Sequence, residues 1–125
     1  MFKDTKAFSG FAVDDVPRAR EFYEQTLGID VLEHDGLLTL QLAGGERPTM
    51  IYPKPDFEPA TYTILNFPVD DIDEAVDVLA GRGVDFDIYD GFDQDEKGIS
   101  RNPEGPPIAW FRDPAGNILS VLQLD

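Results

Sequence analysis

Phe11-Ala12-Val13-Asp14-Asp15-Val16, with Ala19 three positions on, returns as Phe67-Pro68-Val69-Asp70-Asp71-Ile72 with Ala75 three positions on. The two stretches lie 56 positions apart and match at Phe, Val, both Asp, the β-branched residue and Ala. Farther along, Gly28-Ile29-Asp30-Val31 answers Gly83-Val84-Asp85-Phe86 at a spacing of 55, one residue out of step. Self-similarity at a fixed spacing marks a repeated structural unit. The spacing predicts one domain over residues 1–125, built from two units at about 5–57 and 60–125.

Each copy opens with a strand-like run, residues 7–13 and 62–69, that ends at the Asp pair. A helix follows. Val16, Ala19, Phe22, Tyr23 and Leu27 recur at helical spacing, with Asp15 as the cap and Pro17 in the first turn. In the second copy Ile72, Ala75, Val76 and Leu79 form the stripe, and Asp71 with Glu74 makes the capping signature. Gly28 and the pair Gly81 and Gly83 stop the helices. Strands are expected at 31–33 and 37–42, joined by His34-Asp35-Gly36, because Asp-Gly is a strong hairpin signal. Further strands fall at 49–53, 86–89, 108–112 and 118–122, the last two joined by Asp113-Pro114-Ala115-Gly116-Asn117. Both halves read βαβββ, which makes the fold class α+β.

The composition excludes several kinds of chemistry. The 125 residues include no Cys and one His, so disulfides, thiol nucleophiles, zinc fingers and multi-His metal sites are out. With 10 Lys and Arg against 25 Asp and Glu, the net charge of −15 opposes nucleic acid and anionic membranes, which are held by Lys and Arg. No apolar run approaches the ~18 residues of a membrane span, and the first residues follow no secretory pattern, so a soluble, cytoplasmic protein is expected. Asp93, Asp95, Gly98 and Glu104 fall on calcium-loop spacing, but Lys97 and Pro103 intrude, and acidic chains produce such spacings by chance. His34 beside its Asp-Gly turn reads as a surface residue rather than a catalytic one. Ser9, Ser100 and Ser120 lie in no nucleophile elbow. The acidic stretch 85–96 reads as a solvated strand edge and loop, with a flap over a binding site as the sharper alternative.

The duplicated unit, the helix end Phe22-Tyr23 with Leu27-Gly28, and the closing Phe111-Arg112-Asp113-Pro114-Ala115-Gly116-Asn117 together resemble the vicinal oxygen chelate superfamily. That group includes glyoxalase, the bleomycin-resistance proteins and the extradiol dioxygenases. The resemblance implies two tandem βαβββ units whose mixed sheet curls into a U-shaped cavity with the helices outside, and a homodimer. Metal-dependent members place four His, Glu or Gln ligands on the first and last strand of each unit. Here those positions fall on Phe8, Tyr52, Ile64 and Ser120, which are poor company for a divalent cation. No metal and no cofactor is expected.

Strand alternation places Phe11, Val13, Leu65, Phe67 and Val69 under the helices and Phe8, Gly10, Ala12, Tyr62, Ile64 and Asn66 on the opposite face. Ser120 joins the latter set through the resemblance, with Tyr52 and Met50 from the fourth strand. Phe8, Tyr52, Tyr62, Ile64, Asn66 and Ser120 are thus the candidate ligand-binding residues, and small Gly10 and Ala12 are where the strand leaves room. The alternation leaves Trp110 free to face either way. Alternatively, Phe8 and Ile64 fill the cavity and leave no room for a ligand. The function expected is capture of a small, partly aromatic metabolite or antibiotic without chemistry. The alternative is a lyase, isomerase or dioxygenase-type enzyme with a non-standard or metal-free site, for which Tyr52, His34, Glu46 and Glu33 would be the candidates.

Overall fold

The computed structural model describes residues 1–124. Contacts divide the chain after Glu58 into two compact units, Met1–Glu58 and a second from Pro59 onward.

The first unit runs β1 (Ser9–Val13), α1 (Val16–Glu21), a π-helical turn (Phe22–Thr26), β2 (Val31–His34), β3 (Leu37–Leu40), a 3₁₀ turn (Leu42–Gly45) and β4 (Thr49–Pro53). Its sheet has the order β1-β4-β3-β2, with β1 parallel to β4 and the other pairs antiparallel. The hairpin between β2 and β3 turns on two residues, Asp35 and Gly36, with φ of 51° and 80°. Positive φ at both positions is what a primed two-residue turn requires, and Asp-Gly tolerates it. One face of the sheet carries Val13, Leu38, Leu40 and Ile51, all fully buried, together with Ala19 and Tyr23 from the helical segment.

The second unit runs β5 (Thr63–Val69), α2 (Ile72–Gly81), β6 (Ile108–Arg112) and β7 (Ile118–Gln123), in the sheet order β5-β7-β6. The parallel pair is β5 with β7. Ile72 and Val76 of α2 are buried, as are Ala109, Phe111, Leu119 and Val121 on the sheet face beneath. Residues 86–89, expected as a strand, are reduced to a single bridge between Phe86 and Phe111. The reason lies in the side chains of the next turn. Gln94 accepts from the Tyr89 amide at 2.7 Å and donates to the carbonyls of Asp87 and Gly98 at 2.9 and 2.8 Å. Backbone groups that a ladder would use are thereby taken by one amide side chain. The second unit is therefore βαββ with a tethered segment in place of the extra strand.

The repeat is visible in atomic detail. Asp15 and Asp71 cap their helices with φ/ψ of −136°/100° and −138°/105°, and each accepts from the amide three residues on at 3.1 Å. The helix ends differ by one residue. Ile29 donates to the carbonyl of Tyr23 across six positions, whereas Val84 donates to that of Leu79 across five, both at 3.0 Å. The extra residue sits in the π-helical turn, where Leu27 donates to Phe22 at 3.0 Å. A single-residue insertion is the usual origin of such a turn, and it accounts for the slip from 56 to 55 in the sequence.

Candidate functional site

In antiparallel sheets, directly opposed residues share a face. In the second unit Trp110 stands opposite Ser120, and Arg112 opposite Ile118. Ser120 is level with Asn66 on β5 and its hydroxyl donates to the Asn66 side-chain oxygen Oδ1 at 2.6 Å. Trp110, Arg112, Ser120 and Asn66 therefore share the face away from α2, which settles the orientation of Trp110. A bulge at Ile64 lies at the edge of this face, where β5 shifts register between Thr63 and Leu65.

The tethered segment brings further side chains to the same place. Asp87 donates its amide to the Trp110 carbonyl at 2.8 Å. Its carboxylate accepts from Arg112 Nε at 2.9 Å and from the Tyr89 hydroxyl at 3.2 Å. Tyr89, Phe92 and Trp110 form a mutual ring cluster, with centroids 5.1–6.2 Å apart and interplanar angles of 63–84°. Such tilted geometry aligns ring edges with ring faces. Phe92 is 54% exposed, so the cluster opens to solvent rather than sealing a core. Partial burial, then the neighbouring Asp87 carboxylate, push the Tyr89 hydroxyl above its usual range. It stays protonated, a hydrogen-bond donor, at neutral pH.

Of the residues expected to bind ligand, Asn66 and Ser120 are joined by a hydrogen bond, Ile64 lies at the bulge, and Tyr62 is exposed just before β5. Phe8 and Tyr52 belong to the first unit. Tyr52 lies opposite Ala12 on the helix-free face. Phe8 lines an open cleft of about 440 Å³ with Leu42, Glu46, Arg47 and Thr49. Gly10 leaves no spare room: a Cβ there would come within 3.1 Å of the Met50 carbonyl oxygen. Tyr89 and Phe92 were absent from the expected set because they lie in a stretch whose acidity suggested a solvated edge.

The candidate catalytic groups are engaged or exposed. His34 has a side chain 91% exposed beside Asp35, and Glu33 is paired with Arg20 at 3.2 Å. Asp95, from the calcium-loop spacing, uses one carboxylate oxygen to accept from the amides of Lys97 and Ile99, both at 2.9 Å. Among the described residues no cluster of three or more His, Asp or Glu side chains could hold a metal ion. The positions where the resemblance would put metal ligands carry hydrocarbon at Phe8 and Ile64, and a Ser120 hydroxyl committed to Asn66. These residues do not fit a divalent cation. No helix of the described residues is long and apolar enough to cross a membrane.

Asp113 and Asn117 close the last hairpin from within. Asp113 accepts from the amides of Ala115 and Asn117 at 3.0 and 2.8 Å and from the Asn117 side chain at 3.1 Å. Both residues are buried, and Gly116 takes φ of 93°.

Comparison with known proteins places this geometry. Among curated proteins none matches the sequence. The fold is that of TnmS3, an antibiotic binding protein from Streptomyces sp. CB03234, at 25% identity over 98% of both chains with a TM-score of 0.72. A superfamily member from Sphaerobacter thermophilus is also 25% identical, over 94% of this chain and 97% of that one, with a TM-score of 0.72. The fosfomycin resistance protein FosX from Listeria monocytogenes has a TM-score of 0.73 at 13% identity, covering 100% and 96% of the two chains. The model of one family matches residues 8–121, and the chain belongs to the Glyoxalase/Bleomycin resistance protein/Dioxygenase superfamily.

Proposed function

We propose that this protein captures a small, partly aromatic molecule, a metabolite or an antibiotic, without transforming it and without a metal ion. The observation that carries the reading is the ring cluster of Tyr89, Phe92 and Trp110 on the helix-free face of the second sheet. Two half-buried rings, Tyr89 and Trp110, and the exposed Phe92 supply the aromatic surface, and aromatic linings with a few placed polar groups are the usual makings of a small-molecule site. Here those groups are the Tyr89 hydroxyl, the Arg112 guanidinium and the exposed Asn66 side chain, which accepts from the fully buried Ser120. The likeness to an antibiotic binding protein supports the same reading. Among the described residues the candidate acid-base groups are otherwise placed, His34 on the surface and Glu33 held by Arg20.

The test uses the chain's one tryptophan. A hit from a thermal-shift screen of aromatic compounds should change Trp110 fluorescence, and the compound should be recovered chemically unaltered. Phe92→Ala should weaken binding roughly tenfold or less, in line with ~0.5–1.5 kcal/mol for an aromatic pair. Melting should not respond to chelator. A compound recovered as product, or hits that raise the melting temperature yet leave Trp110 emission unchanged, would overturn the proposal.

A further inference from the structure

The ring cluster has a charge environment of its own. Arg112 shares the Trp110 face of β6, and the Asp87 carboxylate at 2.9 Å neutralises it. Lys97 and Arg101 are drawn elsewhere, onto Asp73, Asp77 and Asp95. Asp90 and Asp93 flank Phe92 in the chain, and no ion pair among the described residues includes either of them. The rings themselves present electron-rich faces, and Trp binds cations best of the aromatic side chains. A net charge of −15 adds a long-range field of the same sign.

We infer that the Tyr89, Phe92 and Trp110 surface selects an organic cation: an aromatic molecule bearing a protonated amine or a quaternary ammonium group. The inference rests on the aromatic-capture reading and specifies the class of ligand it takes. Two contributions have different reach. The ring faces act only in contact, within ~6 Å of a ring centroid. The carboxylates of Asp90 and Asp93 are solvent-exposed and act through water, where screening shortens their range from ~10 Å at 0.1 M salt to ~3 Å at 1 M. A cation is therefore favoured over a neutral ligand at all salt concentrations, and by the larger margin at low salt. An anion meets the opposite field, and Arg112 offers it only a guanidinium already paired.

Three probes of one shape separate the possibilities: naphthylmethylammonium, naphthalenemethanol and naphthoate. Each is titrated into nitrogen-labelled full-length protein, following the indole N–H resonance of Trp110. The cation should bind about threefold to tenfold more tightly than the alcohol at low salt, the range of one exposed cation–π contact plus screened charge. Part of that margin should vanish at high salt. Replacing Asp90→Asn and Asp93→Asn together should narrow the gap between cation and alcohol, and Phe92→Ala should weaken both. Equal affinity for cation and alcohol, or tighter binding of naphthoate, would overturn the charge selection while leaving aromatic capture standing. If no probe moves the indole resonance, the capture reading itself fails, and the inference with it.

Discussion

The two units share their caps, their parallel first and last strands and their helix-side cores, yet their helix-free faces differ. In the first, Gly10, Ala12, Thr39, Met50 and Tyr52 lie on strands bonded into one regular four-stranded sheet. In the second, the sheet has three strands, and the place of the fourth is taken by a segment tied down by Gln94. A strand alternates its side chains between two faces. A segment released from the ladder is freer, and here it delivers Tyr89 and Phe92 to Trp110. The lesson is that a duplicated scaffold acquires a distinct surface where one copy gives up a strand.

The largest effect should come from the side the units share. Phe111 is fully buried against Phe86, so Phe111→Ala should cost ~3–5 kcal/mol in urea unfolding. Trp110, one residue away on the other face, is only half-buried; Trp110→Ala should cost clearly less in stability and abolish the response to ligand. Equal losses from both would mean that the two faces are one core. Next, Gln94→Ala removes three hydrogen bonds to backbone, with an expected cost of ~1–3 kcal/mol. It should also shift the Trp110 indole resonance, because Tyr89 loses its tether; a stability loss without that shift would divorce the tether from the site. Tyr52→Ala, on an exposed position of the first unit, should change stability by no more than ~0.5 kcal/mol and leave ligand binding as it was. Weakened binding in that variant would draw the first unit into the site.

The smallest effect is a pH dependence confined to the second unit. Arg101 donates to both carboxylate oxygens of Asp73 at 2.9 Å, holding Asp73 below its ordinary 3.8. A group whose folded value is depressed stabilises the fold above its unfolded value and loses that contribution as pH falls through the folded one. Below pH 3.8 the link between α2 and Arg101 should therefore weaken, and Asp73→Asn should abolish that part of the pH dependence in urea midpoints. Both partners are largely exposed, so solvent screening keeps the effect small. Identical pH profiles for the two proteins would show that the link adds nothing.

The repeat, both caps, the Asp-Gly hairpin and the closing turn were legible because each depends on residues adjacent in sequence. The π-helical turn showed only as a one-residue slip, since an insertion leaves no composition signal of its own. The expected strand at residues 86–89 has the right alternation, and what prevents it is the Gln94 side chain five residues past Tyr89, whose fold back onto the backbone no alternation pattern reveals. Orientation of Trp110 was recoverable in principle. Once the five-residue turn fixes Arg112 against Ile118, counting back places Trp110 against Ser120. Tyr89 and Phe92 stayed hidden because acidic neighbours make a sequence look solvated whether or not its rings gather on a sheet.

The Asp113 turn has a consequence for how such proteins are told apart. The bonds of its Asp and Asn serve the turn and what lies beside it: Asp113 holds the amides of Ala115 and Asn117, and Asn117 accepts from the Ala60 amide at 3.4 Å. Gly116 has Pro59 against it, 3.3 Å from where a Cβ would stand. The motif is a hinge pin, made to return one strand beside another. Proteins with unrelated ligands can carry the turn unchanged, since Asp113 and Asn117 spend these bonds on closing it. It certifies lineage and is silent about trade; what a given member handles is written in the side chains on the bare side of its sheets.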